Sequence, residues 1–486
     1  MAAMAETLTG ASFGQSLIWD NINWTKVTAQ VRRMQMRIAK AIRENRFGKA
    51  KALQRLLSSS FYAKLLAVKR VTENRGSKTA GVDNVIWKTP IAKMKAVYTL
   101  KRRDYKTLAL RRIYIPKRNG KKRPLSIPAM KCRAMQALHL LGLEPIAETL
   151  ADPNSYGFRP KRSTADAIEQ CFKALAKKVS PQWILEGDIK SCFDKIDHDW
   201  VLANIPMDKV ILNKWLKAGY LENKILHPTK EGTPQGGVIS PCILTMTMKG
   251  LEATIRKVVK RTDKVNVVIY ADDFIVTGVS KEVLEQKVKP AIQTFLKERG
   301  LELSEEKTKI TYIDDGFDFL GFNVRKYKGK LLIKPSKDRV TEFLSNIRNL
   351  IKQNKTIKTI NLIRQLNPKL RGWANYYRHV VAKRIFSRVD ENVFQALWKW
   401  SKRRHPEKSA RWVRKTYFGT FRGDQWVFYS DYVDEDKMKS RLFINQAART
   451  PIKRHVKIKA QANPYDPNYR EYFIQREDRK RKTGSG

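Results

Sequence analysis

Two adjacent carboxylates, Asp272 and Asp273, are the residues of this sequence whose types and spacing best fit metal chemistry. They follow the largely apolar run 265–269 and precede the apolar run 274–276, which predicts strand, tight turn and strand with the carboxylates at the tip. Paired carboxylates repel each other unless a cation holds them, and Mg²⁺ is often held by one or two carboxylates plus substrate phosphates. The pattern therefore indicates phosphoryl transfer at two metal ions, with a solvated Asp-Asp turn as the alternative.

Asp188 is a second candidate, because it lies at the end of an apolar strand predicted over residues 183–189. Beside the paired carboxylates it would complete a three-carboxylate site; the alternative is a strand-end Asp that caps the next turn. Five residues later, Phe193 is large enough to exclude a 2′-hydroxyl from an incoming sugar and so to favour deoxyribonucleotides. A core phenylalanine is the alternative for Phe193.

Two further segments have residues suited to a nucleotide. Glycines around Gln235, in residues 232–241, let backbone approach a ligand closely, and the Gln can contact a nucleotide without reading its base. A plain loop leading into a helix is the alternative. Lys117 and Arg123 flank a predicted hairpin turn with an Asn-Gly pair at 119–120. Both would reach a triphosphate, although a solvated basic hairpin also suits so basic a chain.

Composition indicates a nucleic-acid partner. The chain has 486 residues, a formal net charge of +52 and a pI of about 10.2. Charge of that size opposes compaction unless a polyanion neutralises it, and binding to nucleic acid would weaken strongly with salt. Disorder is excluded because 42% of residues are hydrophobic and 11 are Trp, enough to build cores in about two to four domains.

Cysteine usage and hydropathy suggest the compartment. The four cysteines are Cys132, Cys171, Cys192 and Cys242. They form no Cys-x-x-Cys pair, so we expect small buried residues of a reducing compartment and no zinc site. The first 20 residues lack a signal-peptide pattern, and no apolar stretch has the length of a membrane span. We therefore expect a cytoplasmic protein, in a bacterium or an organelle, with no membrane partner.

The elements that must position these residues follow from hydrophobic spacing. Predicted helices cover 24–73, the stretch after the hairpin around 135–141, the stretch after Ser163, 240–259, 281–299 and a basic aromatic series over 336–404. Predicted strands cover the 111–128 hairpin, 183–189, the two runs around the paired carboxylates, 309–313 and 317–325. The fold class is α+β, with helices behind an antiparallel sheet whose strands come from distant parts of the chain.

In this order the segments resemble a reverse transcriptase, and more closely the reverse transcriptase/maturase proteins encoded by group II introns. The blocks that carry the resemblance are Asn-Arg-Gly-Ser-Lys-Thr-Ala-Gly-Val-Asp at 74–83, Tyr-Ile-Pro-Lys at 114–117 with Arg-Pro-Leu at 123–125, Asn-Ser-Tyr-Gly-Phe-Arg-Pro at 154–160, Phe-Asp-Lys-Ile-Asp-His at 193–198, Leu-Ser-Glu-Glu-Lys-Thr-Lys at 303–309, Phe-Leu-Gly-Phe at 319–322 and Leu-Asn-Pro-Lys-Leu-Arg-Gly-Trp-Ala-Asn-Tyr-Tyr at 366–377. The resemblance extends over most of the chain, and the combination is specific although no single block is.

The resemblance implies an α+β right-hand polymerase with fingers, a palm with an antiparallel sheet, a helical thumb and a small C-terminal DNA-binding module. The implied domains are an N-terminal extension with the start of the fingers (1–95), fingers and palm (96–335), a thumb or maturase domain (336–404), a DNA-binding domain (405–482) and a linker remnant (483–486).

The resemblance also implies roles for individual residues. Two Mg²⁺ ions would be held by Asp188, Asp272, Asp273 and the backbone carbonyl of Ile189. The dNTP would be bound by Lys117, Arg123, Phe193 and Gln235. A primer grip would be formed by Phe319, Leu320, Gly321 and Phe322. The implied partners are group II intron RNA, target DNA, an RNA template with a DNA primer, and dNTPs.

The implied function is an RNA-directed DNA polymerase and splicing maturase that copies its intron during target-primed retrohoming. An RNA-binding maturase with little or no polymerase activity is one alternative, and a retron or CRISPR-linked reverse transcriptase is another. Many members of the family end in a cysteine-rich nuclease domain. This sequence has no cysteine after Cys242, so we expect no cleavage of a second DNA strand.

Overall fold

The structure is a computed structural model that describes residues 19–116, 120, 122–223, 225–433, 436 and 438–482. The chain divides into two compact units. Unit 1 contains the described residues within 1–167, 183–310 and 458–476, and unit 2 contains those within 168–182, 311–457 and 477–486. These units group residues by packing, and the functional division into fingers, palm, thumb and DNA-binding domain stays a prediction.

In the first part of the chain, helices alternate with short strands. The helices are α1 (Trp24–Arg43), α2 (Phe47–Ser59), α3 (Phe61–Thr72), α4 (Pro90–Thr99), α5 (Met130–Leu150), α6 (Thr164–Leu175), α7 (Cys192–Lys195), α8 (His198–Asn204), α9 (Lys209–Leu216), α10 (Ser240–Thr247), α11 (Leu251–Val258) and α12 (Lys289–Lys297). The strands are β1 (Leu110–Pro116), β2 (Lys122–Ile127), β3 (Trp183–Asp188), β4 (Tyr220–Glu222), β5 (Ile225–His227), β6 (Asn266–Tyr270), β7 (Asp273–Gly278) and β8 (Lys309–Tyr312).

The N-terminal helices of unit 1 pack around α5. Helix α1 begins at an Asn23 cap, whose side chain accepts a hydrogen bond from the amide of Lys26. Its apolar residues Val27, Val31 and Ile38 recur at helical spacing and are buried. Helix α5 is buried along most of its length, and α1, α2 and α3 all contact it. The predicted helical region 24–73 is confirmed, with breaks between the three helices.

Two four-stranded sheets organise unit 1. The predicted hairpin is confirmed: β1 and β2 pair antiparallel, and the sheet order is β2-β1-β4-β5. The second sheet has the order β6-β7-β3-β8, and β7 pairs antiparallel with both β6 and β3. Strand β7 is buried from Phe274 to Gly278, so it forms the centre of this sheet. The expected mixed layer of helices and antiparallel sheet is therefore present.

Two predicted helices differ from the structure. The stretch predicted as one helix over 240–259 is two helices, α10 and α11, because Gly250 adopts a φ of 91° that an α-helix does not allow. The stretch predicted as a helix over 281–299 begins with a π-helical turn, Val283–Val288, before α12, and Gly300 follows with a φ of 69°.

Unit 2 contains short antiparallel sheets and long basic helices. The strands are β9 (Phe317–Phe319), β10 (Phe322–Tyr327), β11 (Lys330–Pro335), β12 (Phe418–Phe421), β13 (Asp424–Val433) and β14 (Lys439–Phe443). The helices are α13 (Lys337–Gln353), α14 (Thr359–Tyr377), α15 (Lys383–Arg404) and α16 (Ala410–Tyr417). The last helix, α17 (Arg470–Lys482), has its residues 470–476 in unit 1 and the rest in unit 2. The predicted series of helices over 336–404 is confirmed.

The prediction of a single strand over 317–325 is wrong. Strands β9 and β10 form a hairpin, turned by Leu320 and Gly321 with φ of 52° and 83°. A turn of this hand matches the twist of paired strands, but Leu seldom adopts a positive φ. The turn was therefore not visible in an apolar Phe-Leu-Gly-Phe run.

All four cysteines are free and buried, which confirms that they are packing residues. Within the described residues, no helix combines the length and apolar character needed to cross a bilayer.

The ring of Phe322 is fully buried in unit 2, against Tyr376, Tyr377 and His379 at centroid distances of 5.0–5.3 Å. Replacement by Ala removes these contacts and leaves a cavity, so we expect Phe322→Ala to cost about 3–5 kcal/mol of unfolding free energy. Thermal unfolding followed by calorimetry measures this. The control Ile452→Ala truncates an exposed side chain, and equal losses in the two variants would contradict the packing described here.

Candidate active site

The sheet of unit 1 brings the three candidate carboxylates together at one strand end. Asp188, the last residue of β3, lies directly opposite Asp273, the first residue of β7. Asp273 also pairs with Tyr270 of β6, so Ala271 and Asp272 form a two-residue hairpin turn. Ala271 has a φ of 59°, which is uncommon for a residue other than glycine. The catalytic and metal-binding roles of the three carboxylates stay predictions.

The electrostatics of this strand end fit a cation. Burial raises the pKa of Asp272, and the charge of Asp188 raises it further, while Arg123 and Lys307 act in the opposite direction. The ammonium of Lys307 lies 2.9 Å from Oδ1 of Asp188. Partial burial and the charge of Asp188 thus disfavour the ionised form of Asp272, which a bound cation would favour.

The described residues contain no group of three His, Cys, Asp or Glu side chains arranged as a ready-made metal cage. The donors at the strand end are carboxylate oxygens, which suit Mg²⁺, and Mg²⁺ commonly takes its remaining ligands from substrate phosphates and water. The residues present therefore fit such an ion. The backbone beside Ile189 is fixed, because Ser304 donates to the carbonyl of Asp188 at 2.8 Å and Lys190 donates to the carbonyl of Glu302 at 3.0 Å.

The glycine-rich segment around Gln235 lies beside Phe193. The amide of Thr233 donates to the carbonyl of Phe193 at 2.6 Å, and Nε2 of Gln235 donates to Oδ2 of Asp194 at 3.0 Å. The carbonyl of Gln235 accepts a hydrogen bond from the amide of Ser126 in β2 at 2.7 Å. The structure thus brings Phe193, Gln235 and the base of the β1–β2 hairpin together, as a shared nucleotide site requires.

Of the two basic candidates of the hairpin, the structure describes only Arg123. Arg123 is exposed in β2, opposite Ile115, and its charge acts on Asp272. Lys117 lies outside the described residues. The assignment of both residues to a dNTP site stays a prediction.

The proposed primer-grip residues form the β9–β10 hairpin of unit 2. Phe319 and Phe322 are buried, and the turn between them is held by α14. The hydroxyl of Tyr376 donates to the carbonyl of Leu320 at 2.9 Å, and the hydroxyl of Tyr377 donates to the carbonyl of Gly321 at 3.1 Å. The segment therefore packs as a core element, and its primer-binding role stays a prediction.

The loop 154–163 supports the candidate site; its residues 154–160 form a block that carried the family resemblance, but the sequence did not indicate this supporting role. The amide of Tyr156 donates to the carbonyl of Ile269 at 2.9 Å, and the amide of Ile269 donates to the carbonyl of Asn154 at 3.0 Å. A Cβ on Gly157 would lie 2.3 Å from the amide nitrogen of Ala271. The glycine in the Ser-Tyr-Gly-Phe run was the one sequence feature that indicated a close backbone approach. The sequence around it does not indicate which part of the chain it approaches.

Two polar partners were also missed. Lys307 pairs with Asp188, and Asp194 pairs with Gln235. Both lie within blocks that carried the family resemblance, at 303–309 and 193–198. Their partners lie far away in the sequence, so spacing alone does not identify them.

Sequence models of three protein families match the chain in order. They are an N-terminal domain of reverse transcriptase over residues 19–100, reverse transcriptase (RNA-dependent DNA polymerase) over 115–324, and a group II intron maturase-specific domain over 340–418. The chain belongs to the reverse transcriptase/maturase family of group II introns. Membership confirms the expected α+β right-hand polymerase fold with a maturase domain, and it implies nucleic-acid substrates and RNA binding.

Two relatives and one solved structure are similar to this chain. The chain is 31% identical over 326 residues to Protein YkfC of Escherichia coli, covering 57% of this chain and 84% of that protein. It is 28% identical over 409 residues to the group II intron-encoded protein LtrA of Lactococcus lactis, covering 64% of this chain and 68% of that protein. Among solved structures, it is similar to telomerase from Candida albicans, with a TM-score of 0.38, 13% identity and coverage of 63% of this chain and 64% of that one.

The close approach of Gly157 to the turn before Asp272 gives a direct test of the site geometry. An added methyl group must displace backbone, so we expect Gly157→Ala to lower the unfolding free energy by about 1–3 kcal/mol. Scanning calorimetry measures the change. The control Gly48→Ala adds the same methyl group in the first turn of α2, where nothing lies within 4 Å. A Gly157→Ala protein as stable as the control would contradict the contact.

Proposed function

We propose that the chain is an active RNA-directed DNA polymerase that also serves as a splicing maturase for its group II intron RNA and copies the intron during retrohoming. The single observation that supports polymerase activity most strongly is the β3–β7 register, which places Asp188 opposite Asp273 beside the turn that carries Asp272. A chain that had lost polymerase activity would have no need to hold three carboxylates at one strand end, where their repulsion costs stability.

In the proposed reaction, Asp188, Asp272, Asp273 and the carbonyl of Ile189 would hold two Mg²⁺ ions. Bound there, the ions would supply Lewis-acid activation of a primer 3′-hydroxyl and neutralise the charge of the pyrophosphate that leaves. Raised pKa and burial make Asp272 a group that gains from a bound cation.

The remaining residues would bind and select the incoming nucleotide. Arg123, exposed in β2, would hold the triphosphate as a bidentate fork, together with Lys117. Phe193 is half-buried, and its carbonyl accepts a hydrogen bond from the amide of Thr233. Because the backbone of Phe193 is held in this way, the ring would form a fixed wall beside the sugar. Gln235, oriented by Asp194, would contact the nucleotide without reading its base.

The maturase part of the proposal rests on the maturase-specific domain and on charge. With a net charge of +52, the chain has cations to neutralise many phosphates of a folded RNA. The basic helices α13–α15 and the small sheet β12–β14 would follow nucleic-acid backbones, with the part after α15 engaging target DNA. Basic candidates there include Arg403, Arg404, Arg411, Arg414, Lys415, Lys453, Arg454 and Lys457.

Primer extension on an RNA template tests the polymerase site. Asp272→Asn keeps the shape and removes the charge, so we expect incorporation to fall by about 10²–10³-fold, which corresponds to about 3–4 kcal/mol of barrier. Asp199→Asn, at an exposed position of α8, is the matched control and should keep wild-type rates.

The same proteins distinguish the polymerase from a pure maturase. Asp272→Asn protein should still promote splicing of its intron RNA. Wild-type protein that promotes splicing but never incorporates dNTPs would favour the RNA-binding alternative, and an Asp272→Asn protein that still made full-length cDNA would remove the proposed site.

Phe193 gives a prediction about sugar selection. Loss of the ring opens space for a 2′-hydroxyl, so we expect Phe193→Ala to raise ribonucleotide incorporation relative to dNTP incorporation by roughly 10–10²-fold. The ratio is measured by single-nucleotide incorporation with matched rNTP and dNTP pairs. Phe158→Ala removes the ring that packs 6.4 Å from Phe193 and should not produce the same gain, so an equal gain in both variants would argue against a steric wall at Phe193.

A further inference from the structure

The segment Ile458–Arg476, here named the C-terminal strap, belongs to unit 1, the unit of the candidate polymerase site. It follows a long stretch of unit 2 in the sequence. It is not a loose basic tail, because many of its side chains are buried. The buried residues of the strap are Ile458, Ala462, Asn463, Pro464, Tyr465, Asp466, Phe473 and Arg476.

The middle of the strap is attached to α1. The guanidinium of Arg43 forms an ion pair with Asp466, and the guanidinium of Arg32 donates to the carbonyl of Pro464. Arg32 also lies 4.9 Å from the centre of the Tyr465 ring, within cation–π range. Cations of the N-terminal helix therefore contact this part of the chain rather than only solvent.

The same part of the strap is attached to α5. The hydroxyl of Tyr465 donates to Glu144, and Nδ2 of Asn463 donates to Oγ1 of Thr149 at 3.0 Å. These contacts place the strap across the C-terminal half of α5. That half also carries Glu148, the acid that organises the loop 154–163.

The strap is bound at the C-terminal end of that loop, through Arg162 and through Asp166, which holds Ser163. At one point, Nη2 of Arg162 donates to the carbonyls of Ala460 and Ala462 at 2.9 and 3.3 Å. The Arg162 side chain is only 1% exposed, and Nε of the same guanidinium lies 3.5 Å from Glu148. Arg162 thus joins the strap to the acid on α5.

Asp166 is the second point of attachment. Its Oδ1 accepts hydrogen bonds from Nη2 of Arg476 at 2.9 Å and from the amide of Ile458 at 2.7 Å. Its Oδ2 accepts from the amide and hydroxyl of Ser163, at 3.0 and 2.9 Å. The carboxylate is 1% exposed, so a buried ion pair joins the two ends of the strap to the start of α6.

The loop in turn holds the polymerase strand end. Arg159 is fixed inside it by Glu148 and by the carbonyls of Asp152 and Ser155 at 2.7 Å. The loop backbone pairs with Ile269 of β6, and Gly157 lies against Ala271. Every link from the strap to the residue before Asp272 is therefore a direct contact between described residues of unit 1.

We propose that the C-terminal strap is a positioning element of the polymerase site. Through Arg162 and Asp166 it fixes the loop 154–163, and through that loop it fixes the end of β6 that presents Asp272. Arg476 and Ile458 are positioning residues in this scheme and touch no substrate. The inference about structure stands by itself, and its catalytic consequence rests on the proposed polymerase function.

Amide hydrogen exchange in the full-length protein tests the structural link. Arg476→Met removes the charge that faces Asp166, and the matched control Arg470→Met makes the same change at an exposed position of the strap. We expect exchange at the amides of Tyr156 and Ile269 to rise about tenfold or more in Arg476→Met alone. The central strand amide of Val276 should keep its protection in both proteins.

Single-nucleotide incorporation tests the catalytic consequence. In Arg476→Met the KM for dNTP should rise about tenfold, because the groups of the site are no longer held in the geometry that the nucleotide requires. The active fraction of the protein is measured separately, from the burst amplitude. Arg476→Lys keeps the cation and should recover most of the wild-type KM. A merely structural role would lower the melting temperature and the burst amplitude without changing the KM for dNTP.

Two results would overturn the proposal. One is unchanged exchange at Tyr156 and Ile269 in Arg476→Met, and the other is increased exchange with an unchanged KM for dNTP. If Arg476→Met does not fold, the same two measurements are made on Tyr465→Phe, which removes the milder attachment of the strap to Glu144. If wild-type protein never incorporates dNTPs, the proposed function fails, and the exchange experiment still decides whether the strap fixes the loop.

Discussion

The pairing of β3 with β7 is the constraint on which the candidate site depends. A slip of one residue in this pairing would turn Asp188 to the other face of the sheet. Alternation cannot prevent the slip, because β7 is buried on both faces. Gly187 prevents the slip, because it lies opposite Phe274 and a Cβ at this position would lie 2.2 Å from the Phe274 ring. Only this register places a glycine beneath the ring, so packing in the strand fixes the position of the carboxylate next to it.

The site concentrates negative charge in a strongly basic protein. Asp272 is partly buried and repelled by Asp188, while the compensating cations, Arg123 and Lys307, are exposed side chains. Exposed ion pairs contribute little stability, because both partners are solvated and mobile. At this strand end, a compact, doubly charged cation would therefore stabilise the carboxylates more than an exposed lysine side chain does. In the proposed function, basic residues elsewhere serve the opposite need, since they would contact nucleic-acid phosphates.

Sequence patterns predicted the parts of the fold whose signals are local. The β1–β2 hairpin, the α1–α3 region and the strands around Asp272 followed from apolar spacing and turn residues. The β9–β10 turn did not, because Leu320 adopts a conformation that its side chain disfavours and α14 supplies the compensating hydrogen bonds. The three carboxylates were identified as a set, but their partners Lys307 and Asp194 were not, because pairing between distant residues leaves no local pattern.

The C-terminal strap shows most clearly why such contacts escape prediction. A run of lysines, arginines and tyrosines normally indicates a solvated, nucleic-acid-binding surface, yet Arg476 is buried against Asp166, which lies 310 positions earlier. The entropic cost of closing a loop grows only with the logarithm of its length, so closing this one costs roughly 3 kcal/mol more than closing a loop of about 11 residues. Burying Asp166 without Arg476, however, would leave an uncompensated charge. Glu148, by contrast, has its partner Arg159 only 11 positions away, so that contact closes a short loop. The loop that supports the candidate site is therefore held by one ion pair between near neighbours and by another that exists only when the strap is in place.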